Sequence, residues 1–287
     1  MTEQLRTWQQ AVDYTFKTRH TWRHGSGRRT SEINCNHFTR LRGASFPIGE
    51  IKQQVITSVG IELEDEGKSD ATINRVVSAV STVLNHCAFD ELIDTPPRFR
   101  RRKESEGRIQ FFTKQEVEQL YETAIKVFHR VDIADLTLIA AYTGARQGEL
   151  LKLKHRDVDF SINTIHIGGL PDVKTKAANY RGVPIHERVH HILDQRCQSL
   201  ANMDYVFGGD WSDKDQLLRA FKKLVKFINK DEAYVFHCLR HSFGTWCAEA
   251  GVPVRTIMDL MGHKRIETTL RYAKCTDRAR SEALSLI

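Results

Sequence analysis

The sequence predicts a mainly α fold with a small β-sheet, α+β in class, and three observations carry that prediction. Apolar residues recur at three- and four-residue spacing through much of the 287-residue chain. Alternating, strand-like runs occur only between about Val158 and Ile185. A Pro-Pro step followed by a basic run interrupts the pattern near Pro97. The break divides the chain into a helical domain over 1–97 with a short basic N-terminal segment, a linker over 98–110, and a second domain over 111–287.

The elements follow in order. Leu5–Phe16 has the spaced apolar positions of a helix, and the basic stretch Lys17–Arg29, with Gly25 and Gly27, interrupts it. Ile33–Arg42, Pro47–Val59 and Ser69–Leu84 read as further helices. In the last of these Ile73, Val76, Val77, Val80 and Val83 form one face, with Arg75 directed away from it. Thr95-Pro96-Pro97 stops the helical pattern, and Arg98-Phe99-Arg100-Arg101-Arg102-Lys103 is either a solvated loop or a segment lying on a polyanion. Thr113 and Glu116 have the spacing of a capping box. Ile133–Ala141 is apolar enough to be a buried helix. Thr164–Ile167 alternates, Gly168-Gly169 interrupts, and Val173–Lys176 and Arg181–Ile185 flank a polar turn as a hairpin. Helices resume from Glu187 to the end.

Composition narrows the class. The chain is 40% hydrophobic and 28% charged, the balance of a soluble protein with a core. No apolar run approaches the ~20 residues of a membrane span, and Met1–Gln10 lacks the apolar stretch of a secretory signal, so a cytoplasmic location is expected. The six cysteines form no C-x-x-C pair, which suggests free thiols rather than zinc or disulfides. A formal charge of +7 favours a polyanionic partner, although many basic proteins bind no nucleic acid.

Four local patterns carry candidate chemistry. In Thr143-Gly144-Ala145-Arg146-Gln147-Gly148-Glu149, Gly144 lets the chain turn into a helix with Arg146 in its first turn and Glu149 close enough to brace it. The hairpin offers Lys176 as a proton donor, with Lys174 two residues back on the same face. His237 and Arg240 share a helical face and suit an anion, the arginine as a bidentate fork, the histidine as a proton acceptor near neutrality. His237, Cys238 and His241 lack the second ligand pair expected of a zinc site. Gly262 reads as a helix C-cap leaving His263 exposed, and Tyr272 falls in the next helix. Taken singly, each of these is matched by an ordinary structural role: an ion pair, a solvated lysine, a packed histidine or tyrosine.

Their conjunction and order resemble the tyrosine recombinase (phage integrase) family, in motifs from about Phe111 to Ile287 and more loosely over the helical N-terminal region, which is similar to that family's core-binding domain. The resemblance implies Arg146 and Arg240 as the arginine pair on the scissile phosphate, Lys176 as general acid, His237 for proton transfer, His263 for a hydrogen bond to a phosphate oxygen, and Tyr272 as the nucleophile. Glu149 matches the acidic position supporting the first arginine. Lys176 is preferred to Lys174 because Thr175–Ile185 fits the family's Thr-Lys, four residues, Arg-x-Val-Pro-hydrophobic pattern without a gap.

The chemistry is consistent with that order. Two guanidinium groups offset charge on the non-bridging oxygens, and a phenol of pKa about 10 needs a nearby base or a positive field. The arginines take the place of Mg²⁺, there is no P-loop, and the tyrosyl ester conserves bond energy, so neither metal, ATP nor any other cofactor is expected. The resemblance further implies double-stranded DNA as partner, a homotetramer on synapsed sites, accessory bending or directionality factors, and integration of the phage type through a 3′-phosphotyrosyl intermediate. A type IB topoisomerase-like enzyme and a non-catalytic DNA-binding regulator are the alternatives. Few residues precede the first helices, so a separate arm-binding module is not expected, although Lys17–Arg29 could touch DNA as a tail. The apolar side of Ala283, Leu284, Leu286 and Ile287 could dock in cis or on a neighbouring subunit.

Overall fold

The computed structural model describes residues 4–25, 27–104, 109–169, 180–208, 211 and 214–272. Two compact units divide the chain, Met1–Gly107 and Arg108–Ile287. Among the described residues, no helix is long and apolar enough to cross a membrane.

The first unit is built from helices α1 (Trp8–Thr18), α2 (His20–Arg23), α3 (Arg28–Arg42), α4 (Gln53–Asp65) and α5 (Asp70–Phe89). Thr7 caps α1 through a reciprocal box with Gln10, and Ser69 caps α5 by accepting from the Thr72 amide. Ile73, Val76, Val77, Val80 and Val83 are all buried, so the stripe read from the sequence is the core face of α5. Trp8 closes the core: its ring meets Phe38 at 4.7 Å, and its indole N–H donates to Thr39 Oγ1 at 2.8 Å. The expected helix over Pro47–Val59 is instead split. Ile48–Glu50 is a 3₁₀ turn, and extended Lys52 (φ −112°, ψ 174°) separates it from α4. The basic stretch Lys17–Arg29 is largely helical, with Trp22 buried against Phe16 at 4.8 Å. Arg98–Glu104 folds back on this unit: the Arg100 amide donates to Gln53 Oε1, and Asn74 brackets Arg102 by donating to its carbonyl and accepting from its amide.

In the second unit, α6 (Lys114–Lys126) starts on the expected Thr113–Glu116 capping box. Helix α7 (Val131–Thr143) is buried on nearly every face, as its continuous apolar run requires. Packed against it are α6, α9 (Glu187–Cys197), α10 (Lys214–Phe227) and α11 (His237–Glu249). The sheet is antiparallel in the order β1 (Val158–Asp159), β2 (Thr164–Ile167), β3 (Arg181–Pro184), with Ile165 facing Val183 in register. Ile165, Ile167 and Val183 point into the same core as α7. The proposed strand Val173–Lys176 and residues 177–179 of the turn after it lie outside the described residues. Short helices α8 (Gln147–Leu150), α12 (Val254–Met261) and α13 (Ile266–Leu270) complete the unit.

Candidate active site

Two left-handed glycines set the site's backbone. Gly144 (φ +62°) ends α7 and lets the chain reverse into α8. A Cβ there would stand 2.5 Å from the Phe243 ring. Gly262 (φ +65°) ends α12 in the same way, and a Cβ there would come within 2.9 Å of Arg181 Nη1. Side chains from α8, β3, α11 and the turns after α12 and α13 meet between these reversals.

Arg146 is the N-cap of α8 rather than a residue of its first turn, because Glu149 reaches back to its backbone N–H at 2.8 Å. Arg146 Nη1 also donates to Glu149 Oε1 at 3.0 Å. The carboxylate is shared with Arg181, whose Nη2 donates to Oε2 at 2.9 Å and whose Nε donates to the Leu260 carbonyl at 2.7 Å. Burial alone would raise the Glu149 carboxyl, but hydrogen bonds from Arg181 and the Arg146 backbone, with the charges behind them, hold it at about 2. Arg146 itself keeps 42% of its side chain exposed, leaving a guanidinium face open.

Arg240 is almost fully buried, at 2% exposure. Nη1 donates to the Gly144 carbonyl at 2.5 Å, whereas Nη2 has no hydrogen-bond partner among the described residues. Burial and then the charges of Arg146 and Arg181 bring its pKa down to about 10, so it remains a cation at neutral pH among other cations. An orphaned N–H on a buried cation is costly, and an anion would satisfy it.

Tyr272 lies one turn beyond α13 rather than in it, its amide donating to the Thr269 carbonyl at 2.9 Å. The ring is buried at 9% exposure and stacks on His263 with centroids 6.3 Å apart. Burial raises the phenol above its ordinary value, while Arg240, Arg271 and Arg146 oppose that rise. His263 is half-buried rather than exposed, because its Nδ1 is tied to Thr269 Oγ1 at 2.8 Å and its ring covers the tyrosine. Arg146 Nη2 reaches the Gly262 carbonyl at 3.5 Å, joining the first arginine to this turn.

His237 opens α11 and is exposed, with desolvation, Arg240 and Arg146 lowering its pKa. Its ring packs edge-on against His241 at 4.8 Å. The histidine within hydrogen-bond distance of the phenol hydroxyl, among the described residues, is His241, whose Nδ1 lies 2.7 Å from it. The Cys238 thiol between them is buried and engaged with the Ala233 and Val235 backbone.

Arg146, Glu149, His237, Arg240, His263 and Tyr272 are thus gathered from distant stretches of chain. Lys176 and Lys174 lie outside the described residues. The sequence motifs gave no role to Arg181 or to the contact between His241 and Tyr272. A signal existed for each: Arg181 shares the inward face of its strand with Val183, two residues on, and His241 falls one helical turn after His237.

Residues 110–278 match the phage integrase family. The tyrosine recombinase XerA of Thermococcus onnurineus is 30% identical over 238 residues, covering 79% of this chain and 79% of that protein. The chain belongs to the phage integrase family. It is a tyrosine-type site-specific DNA recombinase. The integrase of Escherichia phage P2 is 27% identical to the recombinase over 244 residues, covering 83% of this chain and 65% of that one. Two solved structures share its fold. The Tn1549 transposon integrase in complex with a circular intermediate DNA gives a TM-score of 0.78 at 19% identity, covering 99% of this chain and 100% of that one. A lambda integrase tetramer bound to a Holliday junction gives 0.71 at 18% identity, covering 94% and 79% respectively.

Proposed function

We propose that the recombinase cleaves DNA by attack of Tyr272 Oη on a phosphodiester, leaving a 3′-phosphotyrosyl link and a free 5′-hydroxyl. The observation that carries this reading is the orphaned Nη2 of buried Arg240, lodged in the same cationic cluster as the Tyr272 phenol. Among the described residues, Arg146, Arg181 and Arg240 share one nearby carboxylate, Glu149, so these groups carry an excess of positive charge that a scissile phosphate would balance. Arg240 and the open face of Arg146 take the non-bridging oxygens, and His263 and His237 donate to them. Lys176 protonates the departing 5′-oxygen, which would otherwise leave as a high-energy alkoxide. Rejoining is the same path reversed by a 5′-hydroxyl from another duplex, so no nucleotide is consumed.

The helical unit over 1–107 would clasp the duplex as a core-binding domain, and four copies would act on two synapsed sites. The tetrameric lambda integrase among the structural neighbours supports that assembly. Integration is the setting we favour, supported by the phage P2 and Tn1549 integrases among the similar proteins. Accessory bending factors would set direction.

A pool of nicked duplexes with a randomised core tests the chemistry and finds the site in one experiment. The nick releases the short 5′-hydroxyl fragment and traps the adduct. SDS-resistant protein–DNA adducts should form, share a common sequence, and yield a nucleotide-bearing peptide containing Tyr272. Tyr272→Phe should form none; adducts that persist in this variant reject the nucleophile assignment.

A further inference from the structure

The Tyr272 hydroxyl has one hydrogen-bond partner among the described residues, His241 Nδ1 at 2.7 Å. The other groups acting on the phenol, Arg240, Arg271 and Arg146, are guanidinium cations, which donate hydrogen bonds and accept none. Burial keeps the phenol protonated, so its hydrogen needs an acceptor, and an imidazole nitrogen with a free lone pair supplies it. His237, the histidine first expected to move this proton, packs its ring against His241 instead.

We propose that His241 is a further catalytic residue of the recombinase: its Nδ1 accepts the Tyr272 hydroxyl hydrogen, aims the oxygen, and takes the proton as Oη bonds to phosphorus. The inference rests on Tyr272 being the nucleophile. In the forward step the Oη–P bond forms, the P–O5′ bond breaks, the phenolic proton passes to His241 Nδ1, and the 5′-oxygen is protonated by the general acid. In the reverse step His241 returns its proton to the leaving phenolate. A phenol does not surrender its proton to imidazole at rest; transfer occurs as the new bond acidifies it.

The surroundings keep the acceptor neutral. Burial comes first, then His237 and Arg240 from its own helix, His263 from the turn after α12 and Arg271 beside the nucleophile; together they lower the His241 pKa to about 4. The ring is therefore an acceptor throughout the neutral range. Its position is fixed from below: a Cβ on Gly244, one turn along α11, would stand 2.9 Å from Tyr272 Cε2, so the phenol ring lies directly on the helix that carries His241.

Two measurements test this, one independent of DNA. In the full chain labelled with ¹⁵N-histidine, His241 should carry its hydrogen on Nε2 with Nδ1 as acceptor, and Tyr272→Phe should shift the Nδ1 resonance. A ring protonated on Nδ1, or one indifferent to Tyr272→Phe, overturns the proposal even if no adduct is ever seen. With wild-type adducts established on the nicked-duplex pool, His241→Ala should slow their formation about 10²-fold while DNA retention is unchanged. His241→Asn places an amide oxygen near the Nδ1 position but cannot take a proton, so it should remain at least about tenfold slow and accelerate as pH rises towards phenol ionisation. Adduct formation by His241→Ala within twofold of wild type, full recovery by His241→Asn, or a faster His241→Ala, which would make the contact a restraint, each overturns it.

Discussion

Glu149 is one carboxylate shared by two guanidinium groups, and its removal separates structural from catalytic consequences. Arg181 is 7% exposed and gives Glu149 both of its carboxylate-facing nitrogens. Glu149→Gln keeps the shape but leaves a buried cation short of its counter-charge, a loss of about 3 kcal/mol. Chemical denaturation should record that loss, and a change below about 0.5 kcal/mol would show that Arg181 needs no charged partner. The contact between Glu149 and Arg146 was legible in the sequence, because i and i+3 proximity is local. Arg181 was harder to see: it is a buried charge made tolerable by a carboxylate 32 positions away and by the Leu260 carbonyl, and neither contact is a local spacing.

Helix α11 carries both Arg240 and the backbone against which the Tyr272 ring lies. Gly244 carries the Tyr272 ring on its bare backbone, with Met261 Sδ 3.0 Å from where a Cβ would sit. Gly244→Ala forces that ring outwards, and a displacement of about 1 Å at a reacting atom costs up to about 10²-fold in rate. Adduct formation should therefore fall steeply while DNA retention holds; an unchanged rate would mean that the ring is not seated on this glycine during catalysis. Elements built from local rules were legible in the sequence. The Thr113–Glu116 box, the valine stripe of α5 and the buried α7 all follow from spacing and capping. Breaks set by backbone conformation were not. Extended Lys52 divides one expected helix, and α13 stops at Leu270, leaving Tyr272 in a turn that Thr269 and His263 hold.

At the scale of the whole molecule, burying two histidines beside a cluster of cations has a signature in acid. His241 and His263 are each lowered from 6.5 to about 4, in both cases chiefly by burial. The unfolded chain binds those protons as pH falls below 6.5 while the folded one does not, so the contribution is fully present above 6.5 and lost by about 4. For these partly solvated rings the combined loss is about 2 kcal/mol, worth roughly 2–4 °C of Tm per kcal/mol in a domain of this size. Glu149 adds a second loss between 4.5 and about 2. Thermal unfolding of wild type should drop across pH 6.5 to 4 more steeply than that of a His241→Asn/His263→Asn double variant. Equal slopes would place the titrating groups elsewhere.

The central claim is that Arg240 and Arg146 exist to offset charge on the phosphate that Tyr272 attacks. A substrate chosen from the adduct sequences, with a neutral methylphosphonate at the scissile position, removes that charge from the DNA itself. Arg240→Ala should be inactive on the ordinary phosphodiester yet form the Tyr272 adduct on the methylphosphonate at a rate approaching wild type. If Arg240→Ala is as inactive on the neutral linkage as on the charged one, Arg240 acts by some means other than balancing charge, and the account is wrong at its centre.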